Sequence, residues 1–169
     1  MRHAAVLFGL MQTHAVQSAR LLSTGLPTVA RMPVGRRLGP AERLRLVREI
    51  LASYLAARRA MRKMTIRAAV QTLRRGMSED PHRGSERELL IEAWRLGRAV
   101  ERTLRLVPGD TRCLTRSLVL TQLLARRGIP AKLVIGACTE PDFRAHAWVE
   151  QAGQPVLRVG DSFGRLVEL

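Results

Sequence analysis

From about residue 41 the apolar residues recur at helical spacing, and beyond residue 131 they alternate as strands do. In AERLRLVREILASYLAARR, Leu44, Val47, Leu51 and Leu55 fall three or four residues apart with Ile50 alongside. Arg43, Arg48 and Glu49 face elsewhere, so the stretch is predicted helical. Pro40 suits its first turn, where a missing N–H costs nothing. MRKMTIRAAVQTLRR continues the pattern, with Met64, Ala68 or Ala69, and Leu73 on a second face. The spacing leaves open whether residues 41–75 form one helix or two with a kink near Thr65. Gly76 is a plausible stop and MSEDPHRGS a loop. Ser85 with Glu88 three residues on forms a capping box, the start signal of another helix. Its apolar stripe is Leu89, Ala93, Leu96, Val100 and Leu104, with Trp94 at the edge. Gly97 within the stripe allows another element to come close, and Pro108-Gly109 ends the helix.

Asp110 is placed to cap the next helix, which makes Cys113 its third residue. Leu114, Leu118, Leu120, Leu123 and Leu124 give this helix a wide apolar surface. Arg126 and Arg127 occupy the last turn, Gly128 stops it, and Pro130 bars continuation. AKLVIGAC then reads as a strand, TEPDFR as a loop, and AHAWVE as a second strand with His146, Trp148 and Glu150 on one face. QAGQ is a hairpin turn, PVLRVG a third strand, and DSFG a turn before a short RLVEL ending. The expected fold is α+β, with N-terminal helices followed by a small antiparallel sheet. Residues 1–40 form an irregular lead-in broken by Gly and Pro. Residues 41–169 form the domain, comprising a helical part (41–105) and a helix-and-sheet part (110–169).

The formal charge of +15 sharpens that division. Residues 1–109 carry 21 Lys or Arg against 8 Asp or Glu, a net of +13; residues 110–169 carry 8 against 6, a net of +2. The basic character thus belongs to the helical part. Such a surface suits acidic peptides, anionic membranes or nucleic acid, but it lacks the interleaved aromatics and reading modules of nucleic-acid binders. Two cysteines make no disulfide framework, and the start of the chain has no secretory signal pattern. No apolar run approaches a membrane span. A cytoplasmic protein with free thiols is expected.

Candidate chemistry concentrates in the nearly neutral third. A thiol at a helix start gains from unpaired backbone donors and the aligned dipole, which favour the thiolate. Cys113 is so placed, with Arg112 and Arg116 nearby, and His146 is the histidine of the same region that can serve as its base. Cys138, near the end of an apolar strand, has no such help. A zinc site needs more than two cysteines and a histidine without Cys-x-x-Cys spacing, and His3 and His14 stand at no metal-binding spacing. An acid should orient the imidazole. Asp161 follows the third strand and is the choice. Asp142 is a reserve in the preceding loop. Glu150 lies four residues along from His146, about 13 Å at strand rise, too far for a direct bond.

The combination RCLTRSLVLTQLLARRGIPAKLVIGA with AHAWVE closely resembles the transglutaminase-like cysteine peptidases of lasso peptide biosynthesis, the B2 or leader peptidase component. The likeness is dense from about Leu104 to Gln154 and weaker back to about residue 41. It implies that Cys113 is the nucleophile and His146 its partner. The family's acid commonly follows the histidine by about 12 positions, where this chain has Arg158, so Asp161 is the nearest carboxylate for the third role. It further implies removal of the leader from a ribosomally made precursor peptide, help from a small leader-binding B1 protein, and ring closure by a separate ATP-dependent macrolactam cyclase. No cofactor or metal is implied. Three rivals stand beside it: an acyltransferase or amidase using the same thiol, a non-enzymatic basic nucleic-acid binder, and an inactive scaffold.

Overall fold

A computed structural model describes residues 38–75, 84–109, 112–139, 143–157, 159 and 163–169. Expectations for the lead-in, for the loop after Arg75 and for Asp110, Asp142, Arg158 and Asp161 therefore fall outside the described residues. The elements run α1 (Pro40–Lys63), α2 (Ile66–Arg74), α3 (Glu86–Leu104), α4 (Cys113–Arg126), β1 (Lys132–Cys138), β2 (Arg144–Gln151), β3 (Gln154–Pro155) and β4 (Gly164–Glu168). This is an α+β chain with its helices first, and the four strands form one antiparallel sheet in the order β3-β2-β1-β4.

Each helix has a local cause. At the start of α1, with Pro40 in its first turn, the Glu42 carboxylate takes the Gly39 N–H at 2.8 Å. Residues 41–75 are two helices, because Met64 is extended and the Thr65 hydroxyl caps α2 by accepting from the Ala68 N–H. The capping box of Ser85 and Glu88 is present at α3. That helix stops at Leu104, short of Pro108, and unwinds through turns at Leu106 and Val107. At the end of α4, Gly128 adopts φ +65°, its N–H bonds the Ala125 carbonyl, and the Ile129 N–H bonds that of Leu124. This is a Schellman motif, which satisfies carbonyls the helix end would orphan.

The face of α1 corrects the sequence expectation. The stripe Leu44, Val47, Leu51 and Leu55 points outward, with Leu44 62% and Leu55 61% exposed. Inward go Ile50, Ser53, Tyr54, Ala57 and Ala60, mostly smaller side chains that let the helix lie close to its neighbours. Of the remaining stripes, Ala69 and Leu73 of α2 and Ala93, Leu96, Val100 and Leu104 of α3 are buried as expected, whereas Met64, extended between the two helices, is exposed. Gly97 faces Val156 and Leu157, which a Cβ there would meet at 3.2–3.3 Å.

At the centre lies α4, buried from Ser117 through Ala125. It packs against α1, α2 and α3 and against β1 and β2, the cover that a helix buried on all sides requires. Arg127 fastens its end: the guanidinium grips Glu49 of α1 with two bonds of 2.7 and 3.0 Å and bonds the Leu123 carbonyl. Arg74 of α2 donates to the carbonyls of Ala131 and Leu169 at 2.7 and 2.9 Å, joining the two ends of the sheet segment. Burial lowers its pKa from the ordinary guanidinium value.

The third strand also differs from expectation. Only Gln154 and Pro155 pair with β2, across a turn with φ +49° at Ala152 and +73° at Gly153. Val156 and Leu157 leave the sheet and are buried in the core. The final residues form a full edge strand on β1, with a bulge between Ile135 and Gly136.

The two faces of α1 give a direct test by urea unfolding. Ile50→Ala should cost about 2–5 kcal/mol, and Leu55→Ala within about 0.5 kcal/mol. Equal losses would mean that the outer stripe is covered after all.

Candidate active site

Cys113 is the first residue of α4, not the third. Arg112 takes the N-cap position and makes no side-chain capping bond, so the N–H groups of the first turn keep their outward aim. The thiol is half-buried. Three residues on, Arg116 is half-buried as well, and among the described residues its buried Nε–H has no hydrogen-bond acceptor. The helix start therefore presents backbone donors and a guanidinium on neighbouring positions.

His146 lies near the start of β2, level with Gly136 of β1. What brings α4 to this strand is the shortness of β3. The Val156 N–H takes the Val149 carbonyl at 2.8 Å. Two residues back, the Ala147 carbonyl points off the same edge, because strand groups alternate with period two. No β3 residue pairs there. The Ser117 hydroxyl takes that carbonyl instead, at 2.9 Å, in a buried bond. Ser117 stands one helical turn from Cys113, and Ala147 adjoins His146. This hydrogen bond thus ties α4, one turn beyond Cys113, to the strand edge beside the histidine.

Around the imidazole, Trp148 stacks at 6.2 Å between centroids and Phe163 at 5.1 Å, with the planes 19° and 30° apart. Both distances suit offset ring contacts. The Trp148 Nε1–H donates to Glu150 at 2.8 Å. Glu150 also accepts two bonds from Arg165 of β4, which donates in addition to Glu168. Lys132 completes the row on Glu168, and the bonds from Lys132 and then Arg165 hold the Glu168 carboxyl below its usual range.

Asp161 and its reserve Asp142 lie outside the described residues. Cys138 is buried at the far end of β1, level with Arg144. Among the described residues, no three of His, Cys, Asp and Glu converge to hold a metal ion, and no helix is long and apolar enough to cross a membrane. Sequence reasoning passed over Ser117, Gly136, Phe163 and Arg165. Gly136 alone carried a signal, since a glycine inside a strand marks a close approach: a Cβ there would fall 2.8 Å from Cη2 of Trp148.

Removing the hydroxyl that joins helix to strand should leave a buried carbonyl unpaired. Ser117→Ala should lower unfolding free energy by about 1–3 kcal/mol, and Ser117→Thr should lose less if its hydroxyl keeps the bond.

Comparison of the sequence with known proteins adds to this geometry. The family model described as transglutaminase-like superfamily matches residues 51–167. A 44-residue stretch is 50% identical to the microcin J25-processing protein McjB of Escherichia coli, covering 26% of this chain and 21% of that protein. No solved structure matches the chain. Since the family model spans well over half of the chain, from within α1 to the last strand, the protein belongs to the transglutaminase-like superfamily.

Proposed function

We propose that this protein is a cysteine peptidase that removes the leader from a ribosomally made lasso peptide precursor, acting in the cytoplasm. The observation that carries the proposal is the Ser117–Ala147 bond, which joins the helix start bearing Cys113 to the strand bearing His146. Membership of the superfamily and the likeness to a microcin-processing protein support it.

In this reading the Cys113 thiolate attacks the carbonyl at the leader–core junction, forming a C–S bond. The tetrahedral oxyanion accepts hydrogen bonds from backbone N–H groups at the start of α4. Collapse breaks the C–N bond as His146 gives a proton to the departing amine of the core. Water, deprotonated by the same imidazole, then attacks the thioester; the leader leaves with a new carboxylate and the thiol is restored. Asp161 is proposed to orient His146. It precedes Phe163, whose ring meets the imidazole, by two residues, a tether of at most about 7 Å.

Leader recognition is proposed to be shared with the small leader-binding B1 protein, with the macrolactam cyclase acting on the released core. The outward stripe of α1, Leu44, Val47, Leu51 and Leu55 with Arg48 and Arg59 exposed beside it, is the face proposed for such a partner. Exposed apolar rows of this kind mark interaction surfaces.

Cleavage of the cognate precursor, followed by mass in the presence of the leader-binding protein, tests the reading. Cys113→Ala and His146→Ala should each lose at least about 1000-fold in rate, and Asp161→Ala should be strongly slowed. Undiminished cleavage by Cys113→Ala would end the proposal. A product that carries an added amine in place of water would favour the acyltransferase rival.

A further inference from the structure

We propose that Glu150, acting through Trp148, is a positioning residue for the His146 imidazole; this rests on the peptidase reading above. Glu150 is only 5% exposed, and a carboxylate so buried is tolerable only when its oxygens are taken. Three hydrogen bonds do so. The Trp148 Nε1–H donates to Oε1 at 2.8 Å, and Nη2 of Arg165 lies 2.7 Å from Oε1 and 2.9 Å from Oε2. Arg165 belongs to β4, so its side chain crosses β1 to reach the β2 carboxylate.

Two contacts fix the indole. Its six-membered ring lies over the bare backbone of Gly136, where a Cβ would come within 2.8 and 2.9 Å of Cη2 and Cζ3. Its N–H is held by Glu150. A ring pinned at both ends has one orientation, and that orientation presents the stacking surface that meets His146. Phe163 meets the same imidazole from the residue ahead of β4. The glutamate lies four residues along the strand from His146, about 13 Å at strand rise, too far to touch the imidazole, so its effect passes through the indole.

Stability alone does not explain the group. Arg165 is half-exposed, which screens its charge, and burying the Glu150 carboxylate costs desolvation that such a pair at best offsets. What the pair adds is direction: Nη2 of Arg165 takes both oxygens of Glu150 while Nη1 takes Glu168, so the two arms of the fork, on two carboxylates, fix the guanidinium and with it the Glu150 carboxylate. This face of the sheet is where the histidine needs a fixed ring beside it.

Single-turnover cleavage of the cognate precursor, with its leader-binding protein, decides the matter. Trp148→Phe keeps an aromatic ring but loses the donor; Glu150→Gln keeps size but loses charge. Each should lower kcat about tenfold, the scale of a small misplacement at a reacting group. KM should stay within about twofold, because ground-state binding is untouched. The double variant should be no slower than the slower single one, since both changes remove the same link. Arg165→Lys, which keeps the charge but not the fork, should fall between wild type and Glu150→Gln.

An unchanged kcat, a change confined to KM, or losses that multiply in the double variant would overturn the inference. If Glu150→Gln fails to fold, Trp148→Phe and Arg165→Lys carry the decision. Cys113→Ala separates the two levels. Should it still cleave, the peptidase reading falls and the inference with it. Should it be dead while Glu150→Gln matches wild type, the inference alone falls.

Discussion

The open edge of β2 at Ala147 is the constraint on which the rest depends. A strand edge inside a protein cannot leave its carbonyls bare, because an unpaired buried acceptor costs as much as a lost hydrogen bond. Two residue pairs beyond the turn, β3 ends, and after the Val156 N–H has taken the Val149 carbonyl the chain turns the side chains of Val156 and Leu157 into the core. The vacated position is filled by a helix, with the Ser117 hydroxyl standing in for a strand N–H. That exchange sets the placement of α4, and with it the cysteine at its start. Around α4, helices α1, α2 and α3 supply cover, and the Arg127–Glu49 pair fixes the far end.

Much of this was legible in the residues. The Ser85–Glu88 box, the Gly128 stop and the alternation in AHAWVE each state a local rule that the backbone obeys. Cys113 and His146 stood out for the same reason: their positions in a helix start and a strand are local facts. Periodicity failed for α1 because it identifies an apolar stripe without saying which side the core lies on. Ile50, Ala57 and Ala60 make a quieter inward face than the four large residues outside. It failed again for PVLRVG, where alternating apolar residues suit a strand and a core-filling segment equally. The helix of Cys113 starts two residues later than expected, after Arg112, because nothing in the sequence tells which of several polar residues the first turn will start after. Arg165 was invisible for a different reason: its partner Glu150 is 15 residues away on a strand that is not its neighbour.

The division of charge has a physical counterpart. Glu49, Glu92 and Glu150 are spent on arginines that join elements, so the acids of the domain neutralise its joints. The exposed arginines of α1 keep their charge for solvent or for whatever approaches, beside a row of leucines. Internal pairing and exposed charge thus lie side by side in the helical part, on Glu49 and Glu92 in the one case and on the arginines of α1 in the other.

The pairing of β4 with β1 bears on how the domain assembles. The β1–β2 hairpin joins residues close in sequence, whereas β4 must return across it to pair with β1. The Arg74–Leu169 bond that secures its end spans 95 positions. Contacts that close long loops form late, because chain entropy is lost before they reward it. Arg165 arrives with that strand. A chain in which the helices and hairpin have formed, but β4 has not docked, holds its histidine without the pair that steadies the neighbouring indole. Docking of β4 is therefore also the step that completes the surroundings of the imidazole.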